Sequence, residues 1–299
     1  MKCRNFCIIL FCVFFLSCAN TQNKTETEIE DAAVSQSYIK KEKGIVGLIN
    51  GEIFCIPSPY NFSKHIHLVS NQYNTTLLNT PLNKNKYVTP LKKAINLGIY
   101  GIDLAYINTF SQSADALQYF STIKTLSDEL GLFDVFDIGT IERIENNINS
   151  QDSVLNIITN KYREADMLLK NDNQKKQAAL ILTGSWIESL YLLTQIEKET
   201  PHPQTRKHIA EHMFSAKSIL GLLKPHYKTS KDFTQLIDNI VNICYWFDGI
   251  SYEYTYIKPI TYPNLKRTVF TSKSEVKIYP EHLENITKEI KKLRTLMIQ

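Results

Sequence analysis

The 299-residue chain carries 34 Lys and Arg against 30 Asp and Glu, a formal net charge of +4. That near-balance gives no electrostatic case for nucleic-acid binding, which needs a basic face. Ten Gly and ten Pro are few for a turn-rich all-β module, while 16 Tyr and 14 Phe supply the bulky side chains that fill helical cores.

The N-terminus reads MKCRNFCIILFCVFFLSC. Lys2 and Arg4 are followed by an apolar run, Phe6 to Leu16, and by the small residue Ser17 directly before Cys18. The run falls short of the about 20 residues that a spanning helix needs. The pattern predicts a bacterial secretion signal over residues 1–17, with Cys18 as acceptor of palmitate-type acyl chains. An ordinary signal peptide or an uncleaved anchor is the rival reading. The polar tract from Ala19 to Glu28 favours the lipid anchor, because such composition stays unfolded and suits a tether over residues 18–43. Ala19, not Asp, follows the cysteine, so nothing argues for retention at the inner membrane. Loss of Lys2 and Arg4 with the signal leaves a balance of +2.

Four of the six cysteines, Cys3, Cys7, Cys12 and Cys18, lie in the signal, leaving Cys55 and Cys244 in the folded part. The two could pair outside the cytoplasm. Cys244, in the apolar run from Ile240 to Phe247, also packs well as a free thiol.

Residues 44–56 are apolar and β-branched and are expected to run extended, with Pro57-Ser58-Pro59 breaking the chain after them. Phe62 to Val69 suits a short helix. Residues 88–108 are apolar on nearly every face, the mark of a core helix, and Gly98 and Gly101 let a neighbour approach. A helix over 112–130 ends at Gly131 as C-cap. Further helices are expected over 140–148, 153–170 (capped by Asp152 or Ser153), 173–199, 204–223, from Ser230 or Asp232 to 248, and 281–297. Residues 252–279 are Tyr-rich, with a strand-like Lys266 to Phe270. The sum is an all-α multi-helix bundle or helical-hairpin array of about eight helices in a single domain, 44–299, with short extended segments near 44–56 and 264–279.

Two carboxylates stand in apolar helical surroundings: Asp103 among Ile102, Leu104 and Ala105, and Glu188 among Ile187 and Leu190. A carboxylate on a buried face must be hydrogen-bonded, paired or neutral, and its pKa then moves. One reading is a polar pocket lined by Tyr100, Asp103, Tyr106, Trp186, Glu188 and Tyr191. The plainer expectation is that each carboxylate is satisfied inside the bundle by a Tyr hydroxyl or a helix end. His208-Ile209-Ala210-Glu211-His212 spells H-x-x-E-H, which puts His208 and His212 on one helix face, but a zinc site needs a third protein ligand and none stands in a recognisable motif. These three are weak metal candidates, and no metal is expected. His65 and His67 are spaced for one face of a strand and are expected on the surface. The chain has no G-x-S-x-G elbow, no P-loop and no dinucleotide fingerprint, so no cofactor is expected.

Three blocks resemble a set of helical lipoproteins of unknown function common in Bacteroidetes. They are Ile56-Pro57-Ser58-Pro59, then Lys93 to Tyr106 (KAINLGIYGIDLAY), then Gly184 to Tyr191 (GSWIESLY). The similarity runs from about residue 50 to residue 225. Relatives usually have glycine where Ser185 and Ser189 stand here. The resemblance implies a lipid anchor, a helical body and an outer-membrane location, and it implies no activity. The functional expectation is a membrane-anchored helical binding or scaffold domain with an envelope protein or glycan as partner. A helical envelope hydrolase using clustered carboxylates is the alternative, and the balance leans away from an enzyme.

Overall fold

The computed structural model describes residues 45–49, 52–56, 59–132, 138–147, 150–168 and 175–299. All of these fall in one compact unit, Lys41–Gln299. The expected signal, the tether and Cys18 lie outside the described residues.

Nine α-helices occur among the described residues: α1 (Pro59–Val69), α2 (Pro90–Thr109), α3 (Ser113–Glu129), α4 (Ile138–Asn146), α5 (Gln151–Leu168), α6 (Lys175–Glu199), α7 (Pro203–Leu223), α8 (Lys231–Phe247) and α9 (Pro280–Ile298). The fold is all-α, as the periodicity predicts. α2 and α6 are apolar around their whole circumference, so both must be enclosed on every side. They make the most extensive helix contact in the chain, with α1, α3, α5, α7 and α9 packed around them and α8 seated on α7 and α9. By length and composition α6 would suffice to cross a membrane, but here it is the buried core helix.

Small residues set the spacing of the central pair. A Cβ on Gly98 would land on the carbonyl of Ile181, and one on Gly184 would land on the carbonyl of Ile95. The backbones therefore touch directly, and Ser185 Oγ donates across the junction to the carbonyl of Gly98 (3.1 Å).

Local chemistry sets the helix ends. Thr89 accepts the N–H of Lys92 and Pro90 takes the first helical position, so α2 begins two residues later than its apolar pattern suggests. Gly131 adopts φ 72° and lets the N–H of Leu132 reach back to the carbonyl of Ser127, closing α3 as expected. Ser230 caps α8 through the N–H of Phe233. Glu197, near the end of α6, accepts the backbone N–H of His202 (2.9 Å) and Arg206 Nε (2.6 Å), which fixes the turn into α7.

The extended segments form more structure than the sequence suggests. β1 (Ile45–Ile49) and β2 (Glu52–Ile56) pair antiparallel as a hairpin. Between α8 and α9 the chain makes a long β-arm from β3 (Ser251–Thr255), β4 (Ile260–Tyr262), β5 (Arg267–Val269) and β6 (Lys273–Lys277). β3 pairs with β6 and β4 with β5, both antiparallel, so the inner pair continues the outer one. The arm starts some dozen residues before the extended segment expected at 264–279. Its first strand, rich in Tyr and Thr, has the β-branched and aromatic character that favours a pleated ribbon. Cys244, in α8, carries a free, partly buried thiol that burial pushes up to about 11.

Candidate functional site

Asp103 on α2 and Glu188 on α6 are both fully buried, and the two helices bring them together at the centre of the bundle. A third charged side chain joins Glu188 from α9. Arg294, on α9 and 6% exposed, donates Nε to Glu188 Oε2 (2.6 Å) and Nη2 to Glu188 Oε1 (2.8 Å). The bidentate fork is the strongest geometry available to a carboxylate. Nη2 also donates to the carbonyl of Leu77 (2.8 Å), and the guanidinium lies over the ring of Tyr191, 4.1 Å from its centroid. Burial opposes the charge on Arg294, but the charge and hydrogen bonds of Glu188 outweigh it and hold the guanidinium protonated.

Asp103 is satisfied differently. The backbone N–H of Asn79 donates to Oδ2 (3.1 Å), while Oδ1 finds no donor in the protein. Burial first, and the charge of Glu188 second, raise the Asp103 carboxyl well above its ordinary value of 3.8, against the opposing pull of Arg294. Hydrogen bonding toward Glu188 acts in the same direction, so burial, the neighbouring charge and this bond all favour the protonated form of Asp103.

A polar shell orients these groups. Asn79 Nδ2 donates to Tyr87 Oη (2.9 Å) and Asn96 Oδ1 (3.2 Å), Tyr87 and Tyr100 hydroxyls lie 3.4 Å apart, and Tyr100 donates to the carbonyl of Thr80 (2.9 Å). From α2, Lys92 Nζ donates to the carbonyl of Leu296 (2.8 Å) and Asn96 Nδ2 to that of Met297 (2.9 Å). These bonds satisfy the terminal carbonyls of α9 and set the height at which Arg294 enters.

Of the six residues expected to line a pocket, Tyr100, Asp103, Glu188 and Tyr191 meet in this network. Tyr106 and Trp186 do not. Tyr106 sits one turn beyond Asp103, and its hydroxyl reaches the loop at Gln72 and Asn74. Trp186 is two residues before Glu188, about 200° around the helix. It therefore faces α7 and donates Nε1 to the carbonyl of His212 (3.1 Å). The cluster is a closed core rather than a lined pocket.

The H-x-x-E-H segment lies on α7. His208 and Glu211 pair at the surface (3.0 Å), but His212 is buried with both nitrogens engaged. Nδ1 bonds the carbonyl of His208 (2.8 Å) and must carry the proton, so Nε2 accepts from Ser189 Oγ (2.9 Å). Burial lowers His212 to about 4. Neither nitrogen is turned outward for a metal shared with His208. Among the described residues no three His, Cys, Asp or Glu side chains are grouped to hold a metal ion. The surface expectation for His65 is overturned. It lies on helix α1, not a strand, is buried, and stands 3.2 Å from Thr205 Oγ1 with its ring 4.3 Å from that of His208. The apolar face of α1 and the docked α7 enclose it; burial, then the charge of His208, lower it to about 4.

The chain matches no protein-family model, no curated protein and no solved structure.

The protonated state of Asp103 has a measurable consequence. Asp103→Asn keeps an oxygen for the Asn79 amide and offers N–H to Glu188. Because the folded-state value is raised above the unfolded 3.8, this group's contribution is full below that pH and is lost as pH rises through the raised folded value. Denaturant unfolding should therefore find Asp103→Asn equal to or more stable than wild type at pH 8, with the difference shrinking toward pH 4. A variant markedly less stable at pH 8 would show that Asp103 is folded as an anion.

Proposed function

We propose that the chain is a lipid-anchored envelope protein whose helical domain binds or scaffolds a partner. The observation that carries the non-enzymatic reading is the closure of the central cluster. Asp103 and Glu188 are both 0% exposed, and the carboxylate is held by Arg294 from a third helix. A hydrolase needs both carboxyl groups within reach of substrate. Here their chemistry is consumed inside the fold, where it aligns α2, α6 and α9.

The anchor reading is supported by the basic start, the short apolar run and Ser17 before Cys18. The resemblance to helical Bacteroidetes lipoproteins supports an outer-membrane location, with the domain on the periplasmic or cell-surface side. Fractionation of cells expressing the full chain tests it. Wild type is expected in the membrane pellet and Cys18→Ala in the soluble fraction; retention of that variant in the pellet would refute lipid anchoring. A thermal-shift screen with glycans and peptidoglycan fragments tests the other half. A ligand whose stabilisation disappears in Asp103→Asn would reverse the reading in favour of the hydrolase.

A further inference from the structure

The β-arm between α8 and α9 is solvent-exposed along almost all of its length. At its base Tyr252 packs on Phe214 of α7 (5.8 Å), and Glu253 pairs with Lys277. The arm's two acidic residues, Glu253 and Glu275, face one another there. From Tyr254 to Ser274 there is no acidic residue, while Lys258, Lys266, Arg267 and Lys273 give four cations. The same stretch exposes Tyr256 (67%), Leu265 (71%) and Phe270 (77%), together with Tyr254, Ile257, Ile260 and Tyr262.

The register sorts these side chains. Ile260 is opposite Val269 and Tyr262 is opposite Arg267, so these four share one face. Thr261 and Thr268, with hydroxyls 3.2 Å apart, share the other. One face of the distal ribbon is therefore aromatic and aliphatic with Arg267 among it, and is turned to solvent. Where the ladder breaks, Ser272 Oγ bonds both the N–H and the carbonyl of Ile257, which keeps the two halves in line. The tip closes through Pro263–Leu265 and Lys266 at φ 47°.

We propose that the distal arm, residues 256–270, is a docking element for an anionic lipid bilayer surface. Tyr and Phe bodies with an aliphatic tip suit the interface between headgroups and acyl chains. The acid-free run of cations is complementary to anionic headgroups. The same charge argues against the other simple occupant, a second copy of the arm, because two ribbons with four cations each repel, and lysines along exposed strands oppose edge pairing. The inference stands apart from the reading of Cys18, since it concerns a surface more than two hundred residues away in the chain.

Hydrogen exchange of the full chain tests it with a readout confined to the arm. Amides of 256–272 are compared without vesicles, with phosphatidylcholine vesicles, and with vesicles containing phosphatidylglycerol. Exchange should slow by about tenfold or more only with the anionic vesicles. Added salt, or Lys258→Glu with Lys266→Glu and Arg267→Glu, should abolish the slowing while helical circular dichroism is unchanged. Should the triple variant fail to fold, Arg267→Glu and the salt series on wild type carry the test. If the N-terminal region holds the chain on vesicles and arm exchange does not change, the proposal is overturned and the anchor stands. Slowing that grows with protein concentration in the absence of lipid would overturn it in favour of a second copy.

Discussion

Arg294→Met will lower stability at pH 8 by about 3–5 kcal/mol, the usual loss when one partner of a buried ion pair is removed. Methionine fills the volume and leaves the Glu188 carboxylate with no cation in a site sealed from water. The carbonyl of Leu77 loses its donor as well. The gap to wild type should narrow on acidification, because an uncompensated buried carboxylate takes up a proton in preference to remaining charged. The informative partner is the double variant Glu188→Leu with Arg294→Met. It removes both charges, and apolar replacements of whole buried pairs are often neutral or stabilising. Urea unfolding at pH 8 and pH 5 decides the matter. A single variant within about 1 kcal/mol of wild type would mean that the pair is solvated in solution, and a double variant as unstable as the single would mean that packing, not charge, is what Arg294 supplies.

Gly184→Ala should come next in severity, at about 3 kcal/mol. The added methyl meets the backbone of α2 at Ile95, which has no side-chain rotamer with which to yield. The helices must part, and every layer between them opens, including the one that holds Asp103 beside Glu188. Gly98→Ala should behave alike from the opposite helix, through the carbonyl of Ile181. Thermal unfolding of both variants against Gly131→Ala, whose methyl meets no neighbour but sits at φ 72°, separates steric overlap from backbone strain. A Gly184→Ala protein with an unchanged midpoint would refute direct backbone contact between α2 and α6.

The helices were legible because periodicity and end signals agree. Residues 88–108 and 173–199 are apolar on all faces, and Gly131, Ser230 and Pro280 mark ends where the backbone chemistry demands them. The carboxyl pair was legible for the same reason: a charge inside an all-round apolar helix has nowhere to go but the core. Its cation was not. Arg294 was hidden in a helix rich in Lys and Glu, although it lies in line with Ile286, Ile290, Leu293 and Met297, the buried stripe of α9. A cation interrupting such a stripe is the signal that would have found it. The first hairpin also had a signal: β1 and β2 are separated by Asn50-Gly51, the pair that most favours a two-residue connection. Trp186 lies outside the cluster because two residues along a helix point nearly opposite ways, whereas Tyr106 shares the Asp103 side of α2 but lies a turn further on, where its hydroxyl meets the Gln72–Asn74 loop. His65 is buried because it shares the inner face of α1 with Phe62, Ile66 and Val69, a face that two-residue spacing of His65 and His67 alone does not reveal.

The ion pair joins residues 106 positions apart, and Arg294 lies 191 positions after Asp103. A chain that emerges N-terminus first, as an exported chain does, presents α2 and α6, with both acids and their apolar surroundings, before the neutralising guanidinium. Until then, docking α2 on α6 would enclose a carboxylate without a counter-ion. Closing this core before α9 is present is therefore unfavourable. A chain truncated before residue 294 therefore lacks the counter-ion of its buried carboxylate and leaves the apolar faces of α2 and α6 without the covering of α9.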